Sequence, residues 1–283
     1  MRRRIKMQAD VDRYVKQGLG QGERESYQPW LRVQDVPSRG RSHKVLGSIV
    51  DRVYHLLSDL EYAFWLQLDF SENVVDIREQ FPLFPVPALQ AIASSKGIKY
   101  PVYLGTDVPF VMTTDFVITI RDPDGSTRLV ARTVKPHQEV TSGEDLLRTW
   151  EKLEIEEEYW RAQGVSWSVV TEDNLPITVT RNLEWLRKGG PIHGLWEDEH
   201  LCSHFIAELI RAQHFGWTLG KTLRHISGRL MTPYETCAQM FRYVILQKLI
   251  SIDLMQPISI TGPFPEIKVL ESPFSENYIS EVV

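Results

Sequence analysis

The sequence contains few cysteines and no long hydrophobic run. Only two cysteines, Cys202 and Cys237, occur among 283 residues. They are far apart and lack metal-site spacing, so we expect reduced, buried thiols in a cytoplasmic protein. No run of about 18 apolar residues is present, so no membrane-spanning helix is expected. The basic start, "MRRRIKMQADVDRYVKQG", lacks the apolar core of a secretory signal, so secretion is not expected either.

Positive charge is in deficit overall, but it is clustered. The chain has 32 Lys and Arg against 37 Asp and Glu, and its net charge of −5 argues against bulk nucleic-acid binding. Basic residues gather near the N-terminus, in "SRGRSHK" and again at Arg52. Such clusters either bind phosphates or form a solvated loop. The candidate DNA-binding residues are Arg39, Arg41, His43, Lys44 and Arg52.

The first part of the chain alternates between helical and strand patterns, and we find no internal repeat. A helix over residues 51–69 is predicted first, followed by a strand in "NVVDIREQFPL". "TTDFVITIRDPDGSTRLVARTVKPH" has the turn chemistry of a β-hairpin, and a long helix and a short strand, "VSWSVVTE", come after it. This order predicts an α/β domain over residues 1–172, with a mixed sheet flanked by helices.

The texture changes near residue 172, where helical segments begin to dominate. "HLCSHFIAELIRAQ", "TLGKTLRHIS" and "PYETCAQMFRYVILQKLI" have helical patterns, and a short strand pair, "SIDLMQ" and "PISIT", follows. Three helices and a terminal β-ribbon are typical of a winged-helix module. We therefore predict a second, winged-helix-like domain over residues 173–283.

A glutamate at the edge of an apolar helix stripe is the first candidate site residue. Glu61 lies among Leu57, Leu60 and Phe64 in "VYHLLSDLEYAFWLQLDF". Burying a carboxylate is costly unless a partner such as a metal ion balances its charge. Ser58 and Glu61 also fit the capping box of a helix start, in which the glutamate only satisfies backbone N–H groups. The sequence leaves both interpretations open.

The predicted hairpin supplies two more candidates. Asp115 and Lys135 are symmetric about a turn centred near Gly125, and strand alternation puts Thr133 on the same face as Lys135. Mg²⁺ prefers oxygen ligands, which Glu61, Asp115 and the Val134 carbonyl could provide. A lysine beside the metal could orient a nucleophile and offset charge on a phosphoryl group. This set of groups is typical of phosphodiester hydrolysis. Arg78 and Gln80, at the end of a predicted strand, either contact phosphate or pair with Glu79.

Six segments of the sequence resemble a known family. They are "RSHK", "HLLSDLEYAFWL", "VVDIREQFPL", "TTDFVI", "VKPH" and "WEKLEIEEEYW". In order and spacing, from about residue 15 to 165, they resemble the TnsA endonuclease subunit of heteromeric cut-and-paste transposons. The resemblance implies a restriction-endonuclease-like catalytic domain with two divalent metals, Mg²⁺ or Mn²⁺, and a smaller winged-helix-like domain. It also implies cleavage of the 5′ ends of the transposon, with TnsB, a DDE transposase, and TnsC, an ATPase regulator, as partners.

The resemblance places catalytic roles on Glu61, Asp115 and Lys135, and it draws attention to the helix glutamate Glu156 as a further metal-proximal residue. One position departs from the family pattern, because Thr133 stands where the family commonly has glutamine. A hydroxyl can contact a metal-bound water but carries no charge. Thr133 and Glu156 are therefore the less secure metal ligands of the predicted set.

The leading hypothesis is a Mg²⁺-dependent DNA endonuclease subunit of a transposase, in the cytoplasm of a prokaryote and at the nucleoid when active. Two alternatives remain: a non-catalytic assembly subunit with a weakened site, and a stand-alone restriction-type nuclease. The sequence does not give the transposon end sequence, the target-selection pathway, the number of metals or the partner stoichiometry.

Overall fold

The computed structural model describes residues 5–36, 40–188 and 199–270, with the side chains of Glu199 and His200 excepted. The described residues form two compact units that divide between Asn174 and Leu175. No helix in these ranges is both long enough and apolar enough to cross a membrane.

The first unit is a mixed α/β structure. Its helices are α1 (Gln8–Lys16), α2 (Asp59–Phe70), α3 (Val86–Ser95), α4 (His137–Thr141) and α5 (Leu146–Ala162). Its strands are β1 (His43–Leu46), β2 (Val53–Leu56), β3 (Val74–Pro82), β4 (Thr113–Arg121), β5 (Thr127–Val134) and β6 (Ser166–Val170). Strands β1 and β2 form an antiparallel ribbon, and the other four form the central sheet.

The central sheet has the order β3-β4-β5-β6. Strands β3, β4 and β5 are antiparallel neighbours, whereas β5 and β6 are parallel. A parallel pair needs a long crossover connection, and α5 lies in that connection between β5 and β6. The predicted mixed sheet flanked by helices is therefore present in this unit.

Side chains from both faces of the sheet are buried, because helices cover each face. Phe116 of β4 contacts Phe64 of α2 edge to face, with 5.4 Å between ring centroids. The next residue, Val117, points to the other face and belongs to a core cluster with Ile155 and Trp160 of α5. Six of the nine residues of β4 are buried, as expected for a central strand with two covered faces.

The predicted helix over residues 51–69 begins later than expected. Val53–Leu56 is strand β2, and the helix starts at Asp59. Ser58 adopts an extended backbone and its hydroxyl accepts a hydrogen bond from the Glu61 amide, which ends the strand and caps the helix. The prediction was wrong for residues 51–58 because Tyr54 and Leu56 fit an alternating strand as well as a helical stripe.

The hairpin is present, and its centre differs by one residue from the predicted one. Arg121 pairs with Thr127, and the loop between them is centred on Asp124. Gly125 adopts a positive φ of 84° in this loop, a conformation that glycine takes without steric cost. The observed pairing of Phe116 with Arg132, continued by one residue, places Asp115 beside Thr133 instead of Lys135.

The second unit is mainly helical. Its elements are α6 (Ile177–Arg187), α7 (Glu199–Ala212), α8 (Leu219–Leu230), α9 (Tyr234–Leu246), β7 (Ile250–Ile252) and β8 (Ile267–Val269). Strands β7 and β8 are antiparallel. The predicted first strand, "SIDLMQ", overlaps β7 only at Ser251 and Ile252, and the partner of β7 is β8 and not "PISIT", which has no strand residues. Cys202 and Cys237 are free and buried, as predicted.

Candidate active site

Two carboxylates from different elements converge on one buried amide. Glu61 lies in the first turn of α2, Asp115 near the start of β4, and Gln80 in β3. The Gln80 side-chain nitrogen donates to Glu61 Oε2 at 3.3 Å and to Asp115 Oδ1 at 3.5 Å. All three residues are more than nine-tenths buried. The structure therefore brings together the helix acid and the strand acid that the sequence had placed 54 residues apart.

Asp115 also connects the site to the end of β5. Its Oδ2 atom accepts a hydrogen bond from the Val134 amide at 2.7 Å. The Lys135 ammonium lies 3.5 Å from the same oxygen, with 31% of the Lys135 side chain exposed. The lysine is thus held beside the carboxylate, with a face open to solvent. This is where an approaching phosphate would meet a positive charge.

Glu61 helps to cap the start of α2 and also lies in the candidate active site. Its Oε2 atom accepts from the Leu57 amide at 2.9 Å, and the Ser58 hydroxyl donates to Oε1 at 3.3 Å. The two interpretations that the sequence left open are therefore compatible. The cap fixes the glutamate rotamer, and the fixed rotamer turns Oε2 toward the Gln80 amide.

Glu156 is buried behind the two strands. The hydroxyls of Thr114 and Thr133 both donate to its Oε1 atom. Each hydroxyl also accepts from a tryptophan: Trp160 Nε1 lies 2.7 Å from Thr114 Oγ1, and Trp167 Nε1 lies 3.2 Å from Thr133 Oγ1. Thr133, a predicted metal ligand, therefore has its hydroxyl engaged by protein groups on both its donor and acceptor sides.

Burial and mutual repulsion disfavour ionisation of these acids. Burial raises the pKa of Glu61, and the charge of Asp115 raises it further, against the opposing effects of the Leu57 amide and Lys135. Burial raises the pKa of Glu156 to about 7, opposed by hydrogen bonds from Thr114 and Thr133. Burial alone would lower the pKa of Lys135, but neighbouring acids, Asp115 first among them, raise it above its ordinary value. The site is therefore short of positive charge.

This charge imbalance predicts a pH-dependent stability that Glu156→Gln should reveal. The folded-state pKa of Glu156 is about 7 against an ordinary value of 4.5, so the folded chain keeps a proton that the unfolded chain loses. Its contribution to the free energy of unfolding is full below about pH 4.5 and is lost as the pH rises through 7. In metal-free buffer, the stability of wild type relative to E156Q should fall between pH 5 and 8. Urea unfolding across this range measures it.

The matched control is Glu154→Gln on the same helix. Glu154 is half exposed and pairs with Lys96 at the surface. The stability difference between wild type and E154Q should change little over the same pH range. A wild-type advantage over E156Q that stays constant or grows with pH would contradict the assignment.

The predicted DNA-binding residues occupy different environments. Arg41 and His43 both contact the exposed carboxylate of Asp59 at the start of α2. Lys44 is exposed on β1, and Arg39 lies outside the described residues. The contacts of Arg41 and His43 with Asp59 are weak and can exchange for phosphate, so DNA binding by Arg41, His43 and Lys44 stays a prediction.

Arg52 and Arg78 do not fit the DNA-binding prediction. The Arg52 guanidinium is buried and donates to both oxygens of the Glu79 carboxylate, which is fully buried. Arg78 is buried beside Asp76, with 3.7 Å between Nε and Oδ2. The pairing of Arg78 with Glu79, one of the two alternatives that the sequence left open, does not occur, because Glu79 pairs with Arg52. Both side chains neutralise buried carboxylates and are buried themselves, so neither is accessible to a phosphate.

Of the predicted metal ligands, two carboxylates converge, and the metal site stays a prediction. Within residues 5–36, 40–188 and 199–270, no three His, Cys, Asp or Glu side chains lie close enough to hold a metal ion. Glu61 and Asp115 converge, whereas the Glu156 oxygen is bonded to the two threonines. An oxygen-rich pair of acids matches the preference of Mg²⁺, which keeps several waters.

Two residues of the site were missed or misjudged from the sequence. Thr114 gave no signal, because a threonine in a β-branched strand is expected there for packing alone. Gln80 was noted, but as a phosphate or Glu79 contact. Its side chain instead bridges Glu61 and Asp115. Only the pairing of β3 with β4 could have indicated this, because the register of Glu79 with Phe116 and of Phe81 with Thr114 brings Gln80 opposite Asp115.

Part of the first unit matches a known protein family. Residues 71–172 match the family described as "TnsA-like endonuclease N terminal". This segment is therefore similar to the TnsA-like endonuclease family. It contains Gln80, Asp115, Thr133, Lys135 and Glu156, whereas Glu61 lies just before it.

The chain is also similar to the transposon Tn7 transposition protein TnsA of Escherichia coli. The two are 44% identical over 179 residues, which are 63% of this chain and 62% of that protein. The chain thus spans less than two thirds of the length of the curated relative that it matches. The resemblance to TnsA-type subunits that the sequence suggested is confirmed.

Proposed function

We propose that this protein is a metal-dependent DNA endonuclease subunit of a transposase, which cleaves the 5′ ends of a transposon during cut-and-paste transposition. The convergence of Glu61, Asp115 and Lys135 carries the proposal. Asp115 and Lys135 lie within residues 71–172, the segment that matches the TnsA-like endonuclease family. Because the substrate would be prokaryotic DNA, the protein would act in the cytoplasm, at the nucleoid.

The donor set of the site fits a divalent cation, Mg²⁺ or Mn²⁺. Glu61 and Asp115 would hold it through their carboxylates, and the Val134 carbonyl would add a neutral oxygen. A bound cation would lower the pKa of its water and polarise the phosphate. A second cation, which the resemblance implies, would need Glu156 to exchange its threonine hydrogen bonds for a metal contact.

Lys135 has a separate role in the proposed hydrolysis. Its ammonium lies 3.5 Å from Asp115 Oδ2 and is partly exposed, so it can approach both a site water and a phosphate oxygen. Asp115 holds the lysine in place, and the lysine orients the attacking water and offsets the negative charge that grows on the phosphoryl oxygens. In this proposal, the first unit has a restriction-endonuclease-like fold, which positions these groups.

We further propose that the second unit is a winged-helix-like, partner-binding domain. Helices α7, α8 and α9 are followed by the β7–β8 ribbon, which is the element order of such modules. A short turn, with Met231 at a positive φ of 49°, joins α8 to α9. The partners would be TnsB, a DDE transposase that processes the 3′ ends, and TnsC, an ATPase regulator. Arg41, His43 and Lys44 would contact the phosphates of the transposon ends.

Mapping the strand breaks made by the purified proteins tests this function. With the partner transposase, the regulator and Mg²⁺ present, we expect cuts at the 5′ transposon ends. Removal of Mg²⁺ by a chelator should abolish them, because the two acids alone provide no Lewis acid, and Mn²⁺ should restore them.

Two other outcomes would overturn the proposal. Efficient cutting of DNA without transposon ends by the chain alone would identify a stand-alone nuclease. Assembly of the complete complex on the ends, without 5′ cuts at any Mg²⁺ or Mn²⁺ concentration, would identify a non-catalytic assembly subunit.

A further inference from the structure

The backbone of Gln80 has an unusual conformation for a residue inside a strand. Its φ is +49°, in the left-handed region that glycine adopts freely and other residues rarely adopt. The β3–β4 ladder pairs Glu79 with Phe116 and Phe81 with Thr114 and omits Gln80 between them. Such a conformation is energetically costly and persists only where surrounding contacts offset the cost. The Gln80 carbonyl accepts a hydrogen bond from the Trp30 amide at 3.2 Å, and the Gln80 side chain contacts Glu61 and Asp115, so both backbone and side-chain contacts hold the residue in this conformation.

The side chain occupies the space between the two acids of the site. Its amide nitrogen donates to both Glu61 and Asp115, and only 2% of the residue is exposed. An amide carries a donor nitrogen and an acceptor oxygen on the same carbon. Half a turn about its last rotatable bond therefore exchanges the two atoms without changing the volume that the side chain fills.

The site offers few other neutral oxygens. The Thr133 hydroxyl donates to Glu156 and accepts from Trp167. The Thr114 hydroxyl likewise donates to Glu156 and accepts from Trp160. Both threonines are therefore engaged, and Gln80 is the amide that already contacts both acids proposed to bind the cation. Side-chain amide oxygens are common ligands of hard divalent cations.

We propose that Gln80 is a two-state amide of the cation site: its nitrogen bridges Glu61 and Asp115 in the metal-free protein, and its oxygen becomes a ligand of the bound divalent cation. This inference rests on the proposed function and extends it by one residue. The amide keeps the two acids together in the absence of metal, and the exchange of its atoms converts the donor into an acceptor when the cation arrives.

Mn²⁺ titration of the full metal-free chain tests the proposal, with free Mn²⁺ followed by electron paramagnetic resonance. Gln80→Met keeps the side-chain length but removes both amide atoms, so Mn²⁺ should bind about tenfold more weakly or worse. Gln80→Glu removes the donor but keeps an oxygen ligand, so Mn²⁺ should bind at least as tightly as to wild type. The Q80E chain should also be less stable than wild type without metal, because three carboxylates then face one another.

Gln67→Met is the matched control. Gln67 is buried in α2, and its amide nitrogen has no hydrogen-bond partner among the described residues. Its replacement should leave Mn²⁺ binding unchanged. Wild-type affinity in Q80M, or equal weakening in Q80M and Q80E, would overturn the role of Gln80 while leaving the proposed function intact. If wild type binds no Mn²⁺, as expected for D115N, both the role of Gln80 and the proposed function would be overturned.

Discussion

Asp115→Asn is expected to lower the rate of 5′-strand cleavage by about a thousandfold or more. A metal ion supplies several kcal/mol of transition-state stabilisation, and each 1.4 kcal/mol is about tenfold in rate. Asparagine has the same shape and can still accept the hydrogen bond from the Val134 amide. It has no charge, however, to hold a cation or to anchor Lys135. Single-turnover cleavage of transposon ends, with partners and Mg²⁺ at saturation, measures the effect.

Asp122→Asn is the control for the loss of a strand-end aspartate. Asp122 lies at the opposite end of the same hairpin, where its carboxylate pairs with Arg128 at the surface. Cleavage by D122N should match wild type. Thermal unfolding should show that both variants remain folded. If D115N, fully assembled with its partners, retains more than a tenth of the wild-type rate, the catalytic centre has been assigned to the wrong residues.

Arg52→Met is expected to cause the largest loss of stability. Glu79 is fully buried, and its carboxylate accepts two hydrogen bonds from Arg52 and one from the His55 amide. Removing one partner of a buried ion pair costs about 3–5 kcal/mol, because the other charge is left uncompensated. The melting temperature should fall by about 6–20 °C for a domain of this size. Calorimetry or circular dichroism of the full chain measures the change.

Two further variants separate this effect from a general loss of an arginine. Arg41→Met removes the exposed partner of Asp59 and should change stability by less than about 0.5 kcal/mol. The double variant R52M/E79M removes both charges, so it should recover a large part of the loss in R52M. An R52M chain as stable as wild type would show that Arg52 is not the charge that balances Glu79.

The Arg52–Glu79 pair also illustrates why the environment of Arg52 could not be read from the sequence. In the sequence, Arg52 follows a basic cluster and precedes an apolar segment, so a surface role was a reasonable expectation. In the structure, its guanidinium lies 3.8 Å from the centroid of the Tyr54 ring and is enclosed with Glu79. Membership of a basic cluster in the sequence does not show whether an arginine is buried or exposed. Only packing decides whether its charge faces solvent or a buried acid.

Gln80 and Glu156 illustrate the same limit within the site. Both were noted from the sequence, yet their partners lie 19 to 42 residues away along the chain. No spacing rule links a glutamine in a strand to acids on a helix and a neighbouring strand. The register of β3 against β4 and the position of α5 over the sheet decide which side chains meet.

The sequence by itself determined several local features of this protein, which are the cap formed by Ser58 and Glu61, the hairpin that contains Gly125, the long helix before the last strand of the central sheet, and the resemblance to TnsA. These depend on residues a few positions apart, whose spacing is written directly in the chain. The tertiary structure alone decided that Gln80 bridges the two acids, that Thr133 serves Glu156, and that Arg52 is buried with Glu79. These depend on contacts between distant segments, which form only where the packing of the sheet and its helices brings the segments together.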